Sequence, residues 1–195
     1  PSYGSITIQM IQIFDQLKIE NERDWTLKIS SAVEESYKYR FFQKNLDSVN
    51  SILSINRAKQ IASNIEDNQS EVVFKSNLHE FDFKDLAQGH TAHLTTSDKY
   101  GNVVSLTQTL GPNMGSKVAT KGLGFLYNVT MGPYLGGYLG EDKPGDRASS
   151  HISPTIFTKG DKVALALGAA GGNKIPIAIN QVAYRYLKQK IPLVE

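Results

Sequence analysis

Apolar positions along the first third of the chain recur at helical spacing. Ile6, Met10, Ile13 and Leu17 predict an amphipathic helix over residues 5–18, entered from the turn-like stretch "PSYGS". A second helix is expected with Asp24 as its cap, carrying Leu27, Val33 and Tyr37 among charged and polar residues to about Gln43, and a shorter one over 55–65. From Glu66 to Gly89 the chain turns polar and irregular and reads as a long exposed connection. At Thr91 the period changes to two, with glycine punctuation, as short antiparallel strands require: 91–98, 102–110, 124–128, 153–160 and 163–168. Helical spacing returns over 174–188, where Ile175, Ile179, Val182 and Tyr186 are expected on one face. Helices, a run of strands and a final helix point to an α+β fold.

Composition narrows the picture only a little. With 195 residues, 40% of them hydrophobic, the chain can bury a core, and the length suits one domain. A formal charge of +2 without a Lys/Arg run argues against a nucleic-acid partner. Cysteine is absent, which excludes thiolate catalysis, thiolate metal sites and disulfides and leaves compartment and localisation open. No apolar run approaches a bilayer span, and a chain opening at Pro1 without methionine is expected to be a piece of a larger protein.

The chemistry centres on "GHTAHLTTSDKYGNVVSLTQTL", residues 89–110. A three-residue loop, Lys99-Tyr100-Gly101, would put glycine at the left-handed position and Asp98 opposite Asn102. Paired positions then sum to 200, so Thr91 faces Thr109, His93 faces Thr107, and all four side chains share one side of the sheet. A four-residue loop would break that arrangement. Threonines in such a hairpin suit β propensity as well as chemistry. A threonine hydroxyl becomes a good nucleophile only beside a base, which chain cleavage just before it would supply as a free α-amine with a pKa of roughly 7.7–8.0. Thr91 meets the structural conditions, starting a strand after an accessible loop. The histidines, His79, His90, His93 and His151, have no metal-ligand spacing, so no metal is expected. Gly171 and Gly172, just ahead of the last helix, fit either a tight turn or exposed amides aimed at a developing negative charge. Ser149 and Ser150 fit a local cap or a neutral anion-binding pair.

Taken in order, "HTAHLTTSDKYGNVVSLTQTL", "GFLYN", "SSHISPTI" and "LGAAGGNKI" resemble the small-subunit region of γ-glutamyltransferases, and "PSYGSITIQMIQIFD" resembles the end of that family's large subunit. The resemblance implies an N-terminal-nucleophile hydrolase fold, a four-layer αββα sandwich present here in part. Residues 1–90 would be the end of the large subunit with the processing loop, and 91–195 the catalytic sheet region, together forming one domain. It further implies self-cleavage between His90 and Thr91, with Thr91 as nucleophile and Thr109 hydrogen-bonded to it. Gly171 and Gly172 would form the oxyanion hole, and Ser149 and Ser150 would hold the substrate α-carboxylate. His93 would be a structural neighbour of the site. No cofactor is implied. The expected partners are a small γ-glutamyl or related amide and the rest of the precursor as large subunit, and a homo-oligomer is compatible with the resemblance.

One part of the pattern departs from the family. Gly132 and Pro133 stand where two aspartates are usual, Thr130 where Glu or Gln is, and Gly111 where an asparagine is. These are the side chains that would grip a substrate ammonium group, and a charge left unpaired in a pocket is costly. Three readings follow: a γ-glutamyl-transferring enzyme, an acylase-type amidase that needs no α-amine, and an unprocessed, non-catalytic binding or structural subunit, to which Ala92 also points. Alternatively "GPYLGGYLGEDKPGDR" supplies Glu141 or Asp142 for the ammonium. A chain lacking outer-layer strands is also expected to expose apolar sheet surface.

Overall fold

The computed structural model describes residues 3–39, 45–68, 91–111, 114–130, 145 and 150–193. They fall into two compact units, one within residues 80–179 and the other within 3–79 and 180–195.

In the helical unit, α1 (Gly4–Gln16) buries Ile6, Met10 and Ile13 of the expected stripe completely, with Phe14 beside them, and Leu17, the fourth expected position, is buried just past its end. The carbonyl of Tyr3 accepts both the amide of Thr7 at 2.8 Å and its hydroxyl at 2.9 Å, which secures the first turn. The helix stops where Leu17 turns extended. In α2 (Glu22–Lys38) the cap is Asn21 rather than Asp24: the Asn21 side chain accepts the Asp24 amide at 2.9 Å. Asp24 sits within the first turn and accepts the Glu20 amide, just outside the helix, at 3.2 Å, so Asn21 satisfies an orphan donor and Asp24 ties the incoming chain to the same helix end. The described helix ends at Lys38, and the stretch expected to continue it to Gln43 lies outside the described residues from 40 onward. Its buried face is Trp25, Ile29 and Ala32, with Leu27, Val33 and Tyr37 half-buried on the flanks.

A seven-residue helix, α3 (Leu46–Ile52), has no counterpart in the expected pattern; it buries only Ile52 and is held by a capping box between Asn45 and Ser48. One apolar contact in two turns is too little to show a period. The next helix, α4 (Ile55–Asp67), buries Ala58, Ile61, Ala62 and Ile65. Lys28 of α2 is buried against Glu66 of α4 at 2.7 Å, and its ammonium also donates to the Lys18 carbonyl. Most of the polar connection expected after Glu66 lies outside the described residues.

The strand unit contains two antiparallel hairpins. The first joins β1 (Thr91–Ser97) to β2 (Val103–Thr109), and the second joins β3 (Thr155–Lys159) to β4 (Lys162–Leu167), with a bulge at Phe157/Thr158. The strand expected over 124–128 is absent, leaving only an isolated bridge, Ala119↔Leu126. Left-handed backbone at Met114, Gly115, Lys117, Gly122 and Gly124 reverses the chain too often for a ladder to grow.

Past β4, a 3₁₀ turn (Gly172–Lys174) leads into α5 (Ile175–Leu187). Its buried stripe runs through Ile175, Ile179, Asn180, Ala183 and Tyr184. Val182, expected on that stripe, is 41% exposed, and Tyr186 is half-buried, because the buried arc is centred nearer Ala183. The residues of α5 from Asn180 onward belong to the helical unit. There Tyr184 meets Phe14 edge-on at 6.0 Å and Trp25 at 5.7 Å, and Asn180 donates to the Thr7 carbonyl at 3.0 Å. Arg185 stacks 4.1 Å over the Trp25 ring and forks onto Glu22 at 3.2 and 2.9 Å. Among the described residues no helix is long and apolar enough to cross a membrane.

Candidate active site

The turn of the first hairpin sets everything else in it. The Asp98 carboxylate accepts the amides of Tyr100 and Asn102, both at 2.9 Å, and the Asn102 side-chain amide at 2.7 Å. These bonds hold the Asp98 carboxyl below the usual carboxylate range, the Asn102 side chain first among them. Gly101 takes φ +89°, the conformation a three-residue loop demands at that point. The ladder therefore carries the expected register, with Thr91↔Thr109 and His93↔Thr107 as direct partners. Directly opposed residues on one face have Cβ atoms about 4.5–5.5 Å apart, within reach of hydroxyl-to-hydroxyl contact.

Thr109 is oriented from its other side. Its hydroxyl oxygen accepts the Gly111 amide at 3.1 Å, and Gly111 takes φ +88° to deliver that amide. The space over Gly111 is tight, because an added Cβ would lie 3.1 Å from Val129 Cγ2. The Val129 amide donates to the Leu110 carbonyl at 3.0 Å, which keeps that neighbour in place. Thr130, another of the positions that depart from the family pattern, turns its hydroxyl onto Asn128 Oδ1 at 3.2 Å.

His93 is tethered at both ring nitrogens. Nδ1 lies 2.7 Å from Thr107 Oγ1 and Nε2 lies 3.0 Å from Thr95 Oγ1. A hydroxyl both donates and accepts, so either neutral tautomer is satisfied. Thr95 and Thr107 thus have a specific task that strand propensity does not explain. The signal was present in the register, which puts Thr107 opposite His93, and in the two-residue period, which puts Thr95 beside it. The end of β4 lies against this face: the Ser105 hydroxyl points to the Leu167 carbonyl at 3.4 Å, and Gly168 abuts the His93 ring.

Gly171 and Gly172 follow three residues later, both exposed, with φ +131° and +58°. They occupy the cap and first position of the 3₁₀ turn, where leading N–H groups have no partner within the helix. This backbone satisfies the tight-turn reading and leaves both residues exposed. Ser150 is half-buried, and its oxygen accepts the Ile152 amide at 3.2 Å, so the local-turn role is realised while its O–H remains the donor. Ser149, His79, His90, Gly132, Pro133, Glu141 and Asp142 lie outside the described residues. Among the described residues no three His, Cys, Asp or Glu side chains cluster as metal ligands.

The sequence profile described as Gamma-glutamyltranspeptidase matches residues 1–195, and the chain belongs to that family. This membership supports the N-terminal-nucleophile class of fold. The glutathione hydrolase proenzyme of Pseudomonas aeruginosa is 37% identical over 120 residues, covering 55% of this chain and 22% of the relative. The acylase ACY 1 proenzyme of a Pseudomonas species is 33% identical over 108 residues, covering 54% and 19%. A solved Helicobacter pylori gamma-glutamyltranspeptidase T380A mutant superposes with a TM-score of 0.46 at 33% identity, covering 53% of this chain and 62% of that one. The chain spans about a fifth of the length of the curated relatives it matches first, 22% and 19%.

Proposed function

We propose that this chain carries the catalytic centre of a self-processing enzyme that cleaves γ-glutamyl or closely related amide bonds through an acyl-enzyme on Thr91. The observation that supports it most directly is the Thr91↔Thr109 pairing at the start of β1, with the Thr109 hydroxyl held from behind by the Gly111 amide. Relatives named as proenzymes agree with a chain that is cut to become active. Scission of the His90–Thr91 peptide bond frees the Thr91 α-amine, which takes the proton from the Thr91 hydroxyl as Oγ attacks the substrate carbonyl carbon. Thr109 holds that hydroxyl in line. The oxyanion that forms is met by the N–H groups of Gly171 and Gly172. The tetrahedral intermediate collapses as the amine departs with a proton returned by the Thr91 amine. Water or an acceptor amine then attacks the ester, and the hydroxyl is restored. Ser149 and Ser150 donate to the substrate carboxylate, and the remainder of the precursor completes the site as a large subunit.

The acylase-type reading has its own support. Gly111 occupies the place of a side chain that would contact a substrate ammonium, and a side chain there would need Val129 to shift, since a Cβ would lie 3.1 Å from its Cγ2. The acylase relative is consistent with an acyl group that lacks the amine. Hydrolysis of γ-glutamyl anilide and glutaryl anilide by the full-length protein separates the two. A clear preference for γ-glutamyl anilide supports the transferase-type reading, and a preference for glutaryl anilide replaces it with the acylase. An intact mass showing an uncut precursor that turns over neither compound would remove both and leave a binding or structural role.

A further inference from the structure

Gly168 is a glycine for a different reason from most glycines in the strand unit. Its backbone is not left-handed, unlike that of Gly101, Gly111, Gly171 and Gly172, so conformational freedom does not require it. Space does. A Cβ built on Gly168 would overlap Nδ1 and Cε1 of His93 and come within 2.8 Å of its Cγ. The ring cannot easily yield, because Thr107 and Thr95 hold its two nitrogens from the strand side. Imidazole and glycine form a fitted pair, set at the end of β4 and backed by the Ser105–Leu167 contact one residue earlier.

The consequence reaches the candidate chemistry through short covalent paths. His93 is two residues from Thr91 on the same face of β1, and Gly168 is three residues from Gly171. We propose that His93 is a positioning residue: its imidazole, wedged between β1 and Gly168, sets the height of the Gly168–Gly172 loop over the strand that begins at Thr91. It touches no reacting atom. It fixes the separation between the nucleophile's strand and the loop that carries the oxyanion-binding amides, and this role rests on the assignment of Thr91, Gly171 and Gly172 above. Such a separation matters steeply, since a misplacement of about 1 Å can lower a rate by about 10²-fold.

A size exchange tests the wedge. In the full-length protein, Gly168→Ala is made alone, together with His93→Ser, and beside the single His93→Ser variant. With His93 present, Gly168→Ala is expected to lower kcat on the better anilide by about 10²-fold while KM stays within about twofold. In the His93→Ser background, the same glycine substitution should change kcat by less than about threefold, because the overlap is gone. Equal losses in both backgrounds, or a Gly168→Ala variant as active as the parent, would overturn the proposal. If Gly168→Ala fails to fold, the double variant decides: recovery of fold and turnover supports the wedge, and no recovery overturns it. Coupling between the two positions in melting temperature, without coupling in kcat, leaves a packing contact and ends the positioning role. Turnover by Thr91→Ala would instead defeat the nucleophile assignment, an outcome that the melting-temperature coupling does not depend on.

Discussion

The core of the helical unit and the first hairpin of the strand unit bury opposite kinds of side chain. In the first, Ile6, Met10, Ile13 and Phe14 are fully inside, and Trp25 and Tyr184 close around Phe14 with ring separations of 6.5 and 6.0 Å. In the second, Leu94, Val104 and Leu106 of the first hairpin are 46%, 54% and 44% exposed, while Thr107 is buried and His93 partly so. A half-buried strand ordinarily turns its apolar face to the core. Here the hydroxyl face meets β4, and among the described residues nothing buries the apolar face. The helical unit is packed on apolar side chains, and the first hairpin turns a polar face inward.

The contrast can be attacked from either side. The largest effect should come from Thr91→Ala, which is expected to abolish both scission at residue 91 and anilide turnover, a loss of about 10⁴-fold or more, with the melting temperature little changed. Mass spectrometry and a turnover assay on one preparation check it, and an active variant would mean that the hydroxyl face is only structural. Phe14→Ala should do the reverse. It leaves a cavity beside Trp25 and Tyr184 and is expected to cost about 3–5 kcal/mol in urea unfolding, without altering KM in the fraction that remains folded. A cost below about 1 kcal/mol would show that the aromatic cluster is not the helical unit's core.

The smallest effect is local and depends on acid. The Asp98 carboxyl titrates below its ordinary value in the folded hairpin. Its hydrogen bonds therefore add stability that is fully present above the unfolded pKa of about 3.9 and is lost as pH falls through the lower folded value. Asp98→Asn should remove that acid limb, read from the amide shifts of Tyr100 and Asn102 between about pH 6 and 2. An identical acid response in the variant would place the titration elsewhere.

Much of this organisation was legible in the residues. The α1 stripe showed because four apolar residues at helical spacing admit one face, and the register of the first hairpin showed because Asp98, Gly101 and Asn102 fix the loop length. A period of two then turned one register into two faces, with Thr91, His93, Thr107 and Thr109 together. Where local signals were weak or shared, the reading failed. Asp24 looked like a cap because Asn21 and Asp24 are both good capping types and only geometry assigns their roles. The stretch at 124–128 had strand composition, but the left-handed positions around it decide its path. The site was partly legible: the Thr91–Thr109 and His93–Thr107 pairings were, and the packing of Gly168 against the His93 ring was not.

By itself the sequence determined the strongly periodic elements, such as α1 and the two strands of the first hairpin, and that hairpin's pairing, since these follow from periods and turn chemistry over a dozen or so neighbouring residues. Tertiary structure alone decided which face of the first hairpin is covered and why residue 168 has no side chain. Those facts belong to contacts between segments more than sixty positions apart, such as Ser105 with Leu167, and no local period records what lies on the other side of a sheet.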